Sequence, residues 1–225
     1  MGKRIRGKLI VFEGIDSSGK KTQVDLLIKR LKKEGKRVKT LHFPAYRTRF
    51  GKIIGKYLRG EFGKKEKLSP EVGCLIYAID RYQFKDLLED ELKKGTYFIL
   101  DRYSYSNVFQ IAKGKKEERG ELLKWLQDVE SRLPQADIII FLDVDPEITK
   151  RLLKKRKVKI KLGKRKKEDI HEMDINFQKK VRNIYKTIAK KLGWIIINCC
   201  KKGMMKSKEE IHNEVYKKLK DAKII

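Results

Sequence analysis

Cysteine and proline are scarce in this chain, and acidic residues are heavily outnumbered. Cysteine occurs only at Cys74 and at the adjacent Cys199 and Cys200. Neighbouring cysteines rarely bridge each other, and no spaced pair forms a zinc pattern, so neither a disulfide framework nor a structural zinc site is expected. All three read as reduced, and Cys74 and at least one of the pair as small apolar residues. Four prolines in 225 residues, with no Pro/Gly/Ser linker and no internal repeat, point to a single domain over 1–225 with one full core. No apolar run approaches the roughly 18 residues of a membrane span. The basic start runs straight into a strand-like segment and lacks the apolar stretch and cleavage site of a signal peptide. The expected setting is the cytoplasm, away from membranes.

Positive charge, by contrast, is abundant. Lys and Arg total 58 against 30 Asp and Glu, a net charge of +28. Such a surface attracts phosphates of any kind. Lys- and Glu-rich surfaces are also common in heat-adapted proteins. The charge is concentrated: positions 150–167 hold twelve basic residues and no acidic one. No aromatic-interleaved basic motif accompanies it, so nucleic-acid binding is not the expected function.

Apolar runs of strand type alternate with helical patterns, which predicts an α/β fold: a parallel sheet with helices on both faces. Strands are expected at 9–13, 37–43, 97–101, 137–142 and 194–198. A helix is expected at 21–34, ended by Gly35. A long one should start after Ser69-Pro70 and run towards Lys94, another should open at Pro146, and two more should span 169–192 and 207–220.

Between the first strand and first helix, Gly14-Ile15-Asp16-Ser17-Ser18-Gly19-Lys20 matches G-x-x-x-x-G-K. Glycines let backbone N–H groups wrap phosphate oxygens, the helix N-terminus adds partial positive charge, and Lys20 adds a full one. Gly14, Ser17, Ser18, Gly19, Lys20, Lys21 and Thr22 are therefore candidate triphosphate-binding residues. The hydroxyl that usually follows the lysine and holds Mg²⁺ is replaced by Lys21. The metal is then held elsewhere, or nucleotide is bound without turnover.

Asp101 and Arg102 close a strand, where α/β sheets place ligands. Arg102 can clamp phosphate oxygens, and Asp101 can hold a metal-bound water or orient that arginine. Tyr77 and Arg81 share a helix face, so a ring could stack on a base while a guanidinium reaches a carbonyl. The plainer alternative is a core tyrosine beside a surface arginine paired with Asp80 or Asp86.

The phosphate loop, from Phe12-Glu13-Gly14-Ile15-Asp16 through Lys20-Lys21-Thr22-Gln23, resembles that of the thymidylate kinase family. Phe43-Pro44, Tyr77 to Arg81, Asp101-Arg102-Tyr103 with Ser106-Asn107, and Asp169 to Glu172 match it in the same order. The resemblance implies a three-layer P-loop fold with a five-stranded parallel sheet and a basic lid near 150–170. It implies ATP- and Mg²⁺-dependent phosphorylation of dTMP to dTDP by a homodimer. A broader pyrimidine monophosphate kinase, or a binding module with reduced catalysis, is the alternative.

The resemblance also implies residue roles. Asp16 meets the acceptor's 3′-hydroxyl or the metal, Tyr77 stacks on thymine, Arg81 reaches its O4 and Asn107 its N3 edge. Phe109, aligned only with a one-residue deletion, disfavours a ribose 2′-hydroxyl. Tyr46 touches the acceptor phosphate, and Arg47 or Arg49 supplies the charge Ala45 lacks. Ser17 is not basic, so the catalytic arginine is expected in the lid, at Arg156 before Arg151 or Arg165. Asp16, Asp101 and Glu172 are the candidate Mg²⁺ ligands. Lys20, Arg102, Asp16 and Arg156 form the expected catalytic set. A general base is not needed, because the acceptor oxygens are already anionic.

Overall fold

The computed structural model describes residues 6–63, 68–160 and 174–225, with the side chains of 154–160 left undescribed. Five short strands are β1 (Leu9–Glu13), β2 (Val38–His42), β3 (Tyr97–Asp101), β4 (Ile138–Asp143) and β5 (Ile195–Asn198). Four of the five are almost wholly apolar, and the edge strand β2 carries Lys39, Thr40 and His42. The five pair in the order β2-β3-β1-β4-β5, all in parallel.

Side chains alternate across each strand, and both faces are covered. Ile10 and Phe12 face a core built with Val24, Leu27 and Leu31 of α1 (Lys20–Lys33) and Ile211, Val215 and Leu219 of the last helix, Lys208–Asp221. Leu9 and Val11 point the other way, towards Leu88 and Leu92. Phe141 meets Val181, Tyr185 and Ile188 on that side. The three-layer arrangement read from the sequence is therefore the one observed.

The intervening helices are α2 (Arg49–Leu58), α3 (Pro70–Tyr82), α4 (Lys85–Lys93), α5 (Val108–Ile111), α6 (Arg119–Val129), α7 (Pro146–Ile160) and α8 (Ile175–Lys191). The last helix is α9. Its N-terminus carries a full capping box between Ser207 and Glu210. A small hairpin, β6 (Cys200–Lys201) with β7 (Met204–Met205), precedes it. Cys74 and Cys199 are buried, and burial pushes both thiols up to about 12.

The structure corrects two element boundaries. The expected long helix from Ser69 to Lys94 is two helices. Gln83 turns its side-chain amide back onto the Asp80 carbonyl (2.9 Å) and Asp80 Oδ1 (2.7 Å), and Phe84 N bonds Arg81 O in a tighter turn. The Phe84 ring then packs edge-on against Phe43, 5.6 Å between centroids. The helix expected from Asp169 is described only from Ile175, where extended Asp174 caps Phe177 N at 3.0 Å. Positions 169–173 lie outside the described residues.

Candidate active site

The parallel register brings the C-terminal ends of β1, β2 and β3 together, so that Phe12 and His42 both pair with Asp101. The loop after β1 turns at Gly14, whose φ is 153°. A Cβ there would stand 2.8 Å from Ser18 Oγ and 3.0 Å from Leu142 O, so only glycine permits the turn. Gly19, at φ 91°, leads into α1, and no side chain caps the first turn of that helix. Its leading N–H groups are left for an anion.

Lys20 is buried and folds its ammonium into this loop. Nζ donates to Ile15 O (2.7 Å), Gly14 O (3.1 Å) and Ser18 Oγ (3.3 Å). Burial, with the Arg102 charge adding to it, lowers its pKa to about 8. Ser18 is buried beside it, while Lys21 and Thr22 are exposed. The Lys21 side chain pairs with Asp25 at 2.7 Å, one turn along the outer face of α1.

Arg102 crosses the mouth of the loop with a left-handed backbone, φ 72°. Nη2 meets Asp16 Oδ1 at 2.5 Å, and Nη1 donates to Gly14 O (3.2 Å) and Ser106 Oγ (3.4 Å). Burial opposes the guanidinium charge, but Asp16 and Glu13 hold it firmly protonated. Asp16 is fixed on its other side by Gln178 Nε2 at 3.0 Å.

Behind this pair lies Glu13, fully buried. It accepts from Tyr103 N (2.9 Å), Ser106 Oγ (2.6 Å) and Tyr185 OH (2.9 Å). Burial raises its pKa, while the Ser106 bond and the Arg102 charge work against that. Glu13 lies inside the phosphate-loop motif, yet nothing in the sequence assigns it a role. The carboxylate ties the loop after β1 to the segment after β3 and to α8. Asp101 is also buried. Its Oδ2 lies 3.0 Å from His42 Nδ1, whereas Oδ1 has no partner among the described residues. Burial alone would raise Asp101, but the His42 hydrogen bond and the Lys20 charge hold it below its ordinary value.

A cavity opens from the Arg102–Asp16 pair towards α3. Tyr77, Arg81, Tyr46 and Phe109, all singled out in the sequence, line it. Pro44 contributes from a cis Phe43–Pro44 bond. The Tyr77 ring meets Tyr57 edge-on at 6.3 Å, and the Phe109 ring lies 5.1 Å beneath the Arg102 guanidinium.

Arg81 is not the surface residue of the plainer alternative. It is 1% exposed and gives Nε (3.0 Å) and Nη2 to Glu130, leaving Nη1 without a partner among the described residues. Asn107 is buried behind it and donates to the same Glu130 oxygen at 3.4 Å, off the cavity wall. Arg47 and Arg49 are exposed and do not line the cavity.

Glu130, 49 residues from Arg81, carries no sequence signal. Gln110, Lys113 and Phe177, which also line the cavity, could have been found only from their helical spacing to Ser106 and to the cap at Asp174. Arg151 is exposed and donates to Gly203 O in the β6–β7 hairpin at 3.0 Å. Arg156 lies in α7 with its side chain outside the described residues, as are Arg165 and Glu172 altogether. Among the described residues, no cluster of three His, Cys, Asp or Glu side chains could alone hold a metal, and no helix is long and apolar enough to cross a membrane.

Residues 12–215 match the family model described as thymidylate kinase. The chain belongs to the thymidylate kinase family. Among this family's curated members, the Plasmodium falciparum thymidylate kinase is 32% identical over 219 residues, covering 97% of this chain and 92% of its own. The Arabidopsis thaliana enzyme is 34% identical over 86% of this chain and 65% of its own. The solved thymidylate kinase from Candida albicans, described as revealing the origin of broad substrate specificity, superposes with a TM-score of 0.71 at 26% identity. That match covers 97% of this chain and 93% of the other. The family's kinase activity and the P-loop fold agree with the loop and cavity described above.

Proposed function

We infer that this chain transfers the γ-phosphoryl group of ATP to dTMP, giving ADP and dTDP. The observation that carries the reading is the Arg102–Asp16 pair, which is bonded to the glycine-rich loop and also lines the cavity. On one side of that pair stands the glycine-rich loop with Lys20, and on the other the cavity walled by Tyr77, Arg81 and Phe109.

The triphosphate lies along the loop, held by backbone N–H groups of residues 14–22 and by Lys20, which exchanges loop carbonyls for phosphate oxygens. Arg102 clamps the acceptor phosphate, with Tyr46 beside it. Asp16 takes the 3′-hydroxyl and orients Arg102. Tyr77 stacks on thymine, and Arg81 offers Nη1 to its edge. Asn107 acts through Glu130, which holds Arg81 in place. An acceptor phosphate oxygen attacks the γ-phosphorus as its bond to the bridging oxygen breaks. The positive groups spread the charge of that transfer.

Mg²⁺ belongs to this reading. The partnerless, buried Asp101 Oδ1 suits a hard cation or its bound water. Phosphate oxygens and water would complete the shell, with Asp16 and Glu172 as the further carboxylates. When bound, such an ion would supply neutralisation of the triphosphate charge. Lys21, paired with Asp25, contributes its backbone N–H rather than a metal-binding hydroxyl. A lid over about 150–170 brings Arg156 or Arg151 to the transferred group, within a single kinase domain.

A homodimer is part of the same reading. Val72, Leu75 and Ile79 of α3 are 40–47% exposed on one face, with Phe50 and Ile53 of α2 nearby. Sedimentation should give a dimer that Leu75→Glu converts to monomer; a monomeric native chain would overturn this. The function itself is tested by coupled ADP release with ATP, Mg²⁺ and a panel of dTMP, dUMP, UMP, CMP and dGMP. The base assignment predicts dTMP as the best of the five.

A further inference from the structure

Gln110 is 3% exposed, yet it lines the cavity. Its Oε1 accepts from Tyr57 OH at 3.0 Å and from Lys113 Nζ at 3.0 Å. An ammonium can only donate, so Lys113 fixes which end of the amide is oxygen. The Nε2 group is therefore a donor, and it has no acceptor among the described residues. Gly73 makes room for this arrangement. A Cβ there would come 2.5 Å from Gln110 Oε1 and 3.0 Å from Tyr57 OH. The Nε2 group is thus open to the cavity, where a ligand oxygen could accept from it.

Two contacts locate the donor along a bound nucleotide. On one side Gln110 bonds Tyr57, whose ring meets the edge of Tyr77, the base-stacking residue. On the other, its chain neighbour Phe109 lies under the guanidinium of Arg102, the phosphate clamp. What lies between a base and a 5′-phosphate is the sugar. We propose that Gln110 Nε2 donates to a sugar hydroxyl of the acceptor nucleotide, and that the hydroxyl is the ribose 2′-OH. Asp16 already serves the 3′ position in the reading above, on which this inference rests. The acceptor site then admits ribonucleotides carrying the right base, although Phe109 lines the same wall.

The test compares ribothymidine 5′-monophosphate with dTMP, which differ only at the 2′ position. Both kcat/KM and calorimetric Kd are measured for the wild-type chain, Gln110→Glu and Gln110→Met. Gln110→Glu keeps oxygens for Tyr57 and Lys113, so it preserves the packing while removing the donor. Loss of the hydrogen bond predicts about a tenfold fall in the ribo-to-deoxy ratio for Gln110→Met, whereas Gln110→Glu, whose carboxylate can accept from the 2′-OH, should fall less. An unchanged ratio, or equal losses for the two nucleotides, overturns the assignment. If the wild-type chain binds ribothymidylate and releases no ADP with either nucleotide, the kinase reading fails while the sugar contact stands. If it binds neither nucleotide, both are overturned.

Discussion

Arg102 Nη2 stands 2.5 Å from Asp16 Oδ1, joining the end of β3 to the loop after β1 across the groove. The arginine holds a left-handed backbone to reach it, a conformation that costs of order 1–3 kcal/mol for a side chain of this kind. Such a cost persists where the surrounding contacts over-determine the geometry. Here Gly14 O, Ser106 Oγ and the Glu13 network supply those contacts.

That pair gives the first prediction. Arg102→Lys keeps the charge but loses the planar fork that reaches Gly14, Ser106 and Asp16 together. We expect kcat/KM for dTMP to fall by about two orders of magnitude. The Kd for ATP should change far less. Equal weakening of ATP and dTMP binding would place Arg102 at the donor instead.

Burial disfavours the Lys20 charge and lowers its pKa to about 8. Bound phosphates restore the charge and raise that pKa. Nucleotide binding must therefore take up protons above about pH 8, and affinity must fall as pH rises past that value. Calorimetry in buffers of different ionisation enthalpy should show uptake at pH 9 and almost none at pH 6.5. Lys20→Arg should abolish the uptake, and Lys20→Ala should remove turnover.

Most of the fold and about half of the site could be read from the sequence. Short apolar runs located the central strands, because a sheet covered on both faces buries both sides of its inner strands. The Gly14 to Lys20 loop was legible because its chemistry is local: φ values, N–H groups and one ammonium within seven residues. Arg81's partner was not. Asp80 and Asp86 were the nearby carboxylates, but Asp80 turns to Ala45 N at 2.8 Å and Gln83. The ion pair closes over 49 residues onto Glu130. The break at Gln83 was hidden for a related reason, since helix-forming residues continue through it while the Gln83 side-chain bonds and the Phe84–Phe43 packing end α3. Contacts from α8, such as Gln178 to Asp16 and Tyr185 to Glu13, depend on tertiary docking that no spacing encodes.

The buried Arg81–Glu130 pair should dominate local stability. Glu130→Ala leaves an unpaired guanidinium inside the protein, at a cost of about 3–5 kcal/mol. For a chain of this size that is a fall in Tm of about 10 °C. The double variant Arg81→Met with Glu130→Leu should recover most of the Tm while leaving the KM for dTMP raised. Recovery of both would remove Arg81 from the base site.

Lys21 bears on the metal. Its side chain pairs with Asp25 on the outer face of α1, so it is not committed to the phosphates. Lys21→Ser should restore a hydroxyl beside the loop and lower, by a few-fold, the Mg²⁺ concentration giving half-maximal rate. A loss of activity at all Mg²⁺ concentrations would show that the ammonium serves the transfer itself.

The most direct measurement follows the γ-phosphate. Phosphorus NMR of the chain with ATP, Mg²⁺ and dTMP should show ADP and dTDP rising together in equal amounts, with no inorganic phosphate, and neither product with Lys20→Ala. ADP accompanied by free phosphate, or unchanged ATP despite binding, would contradict the account.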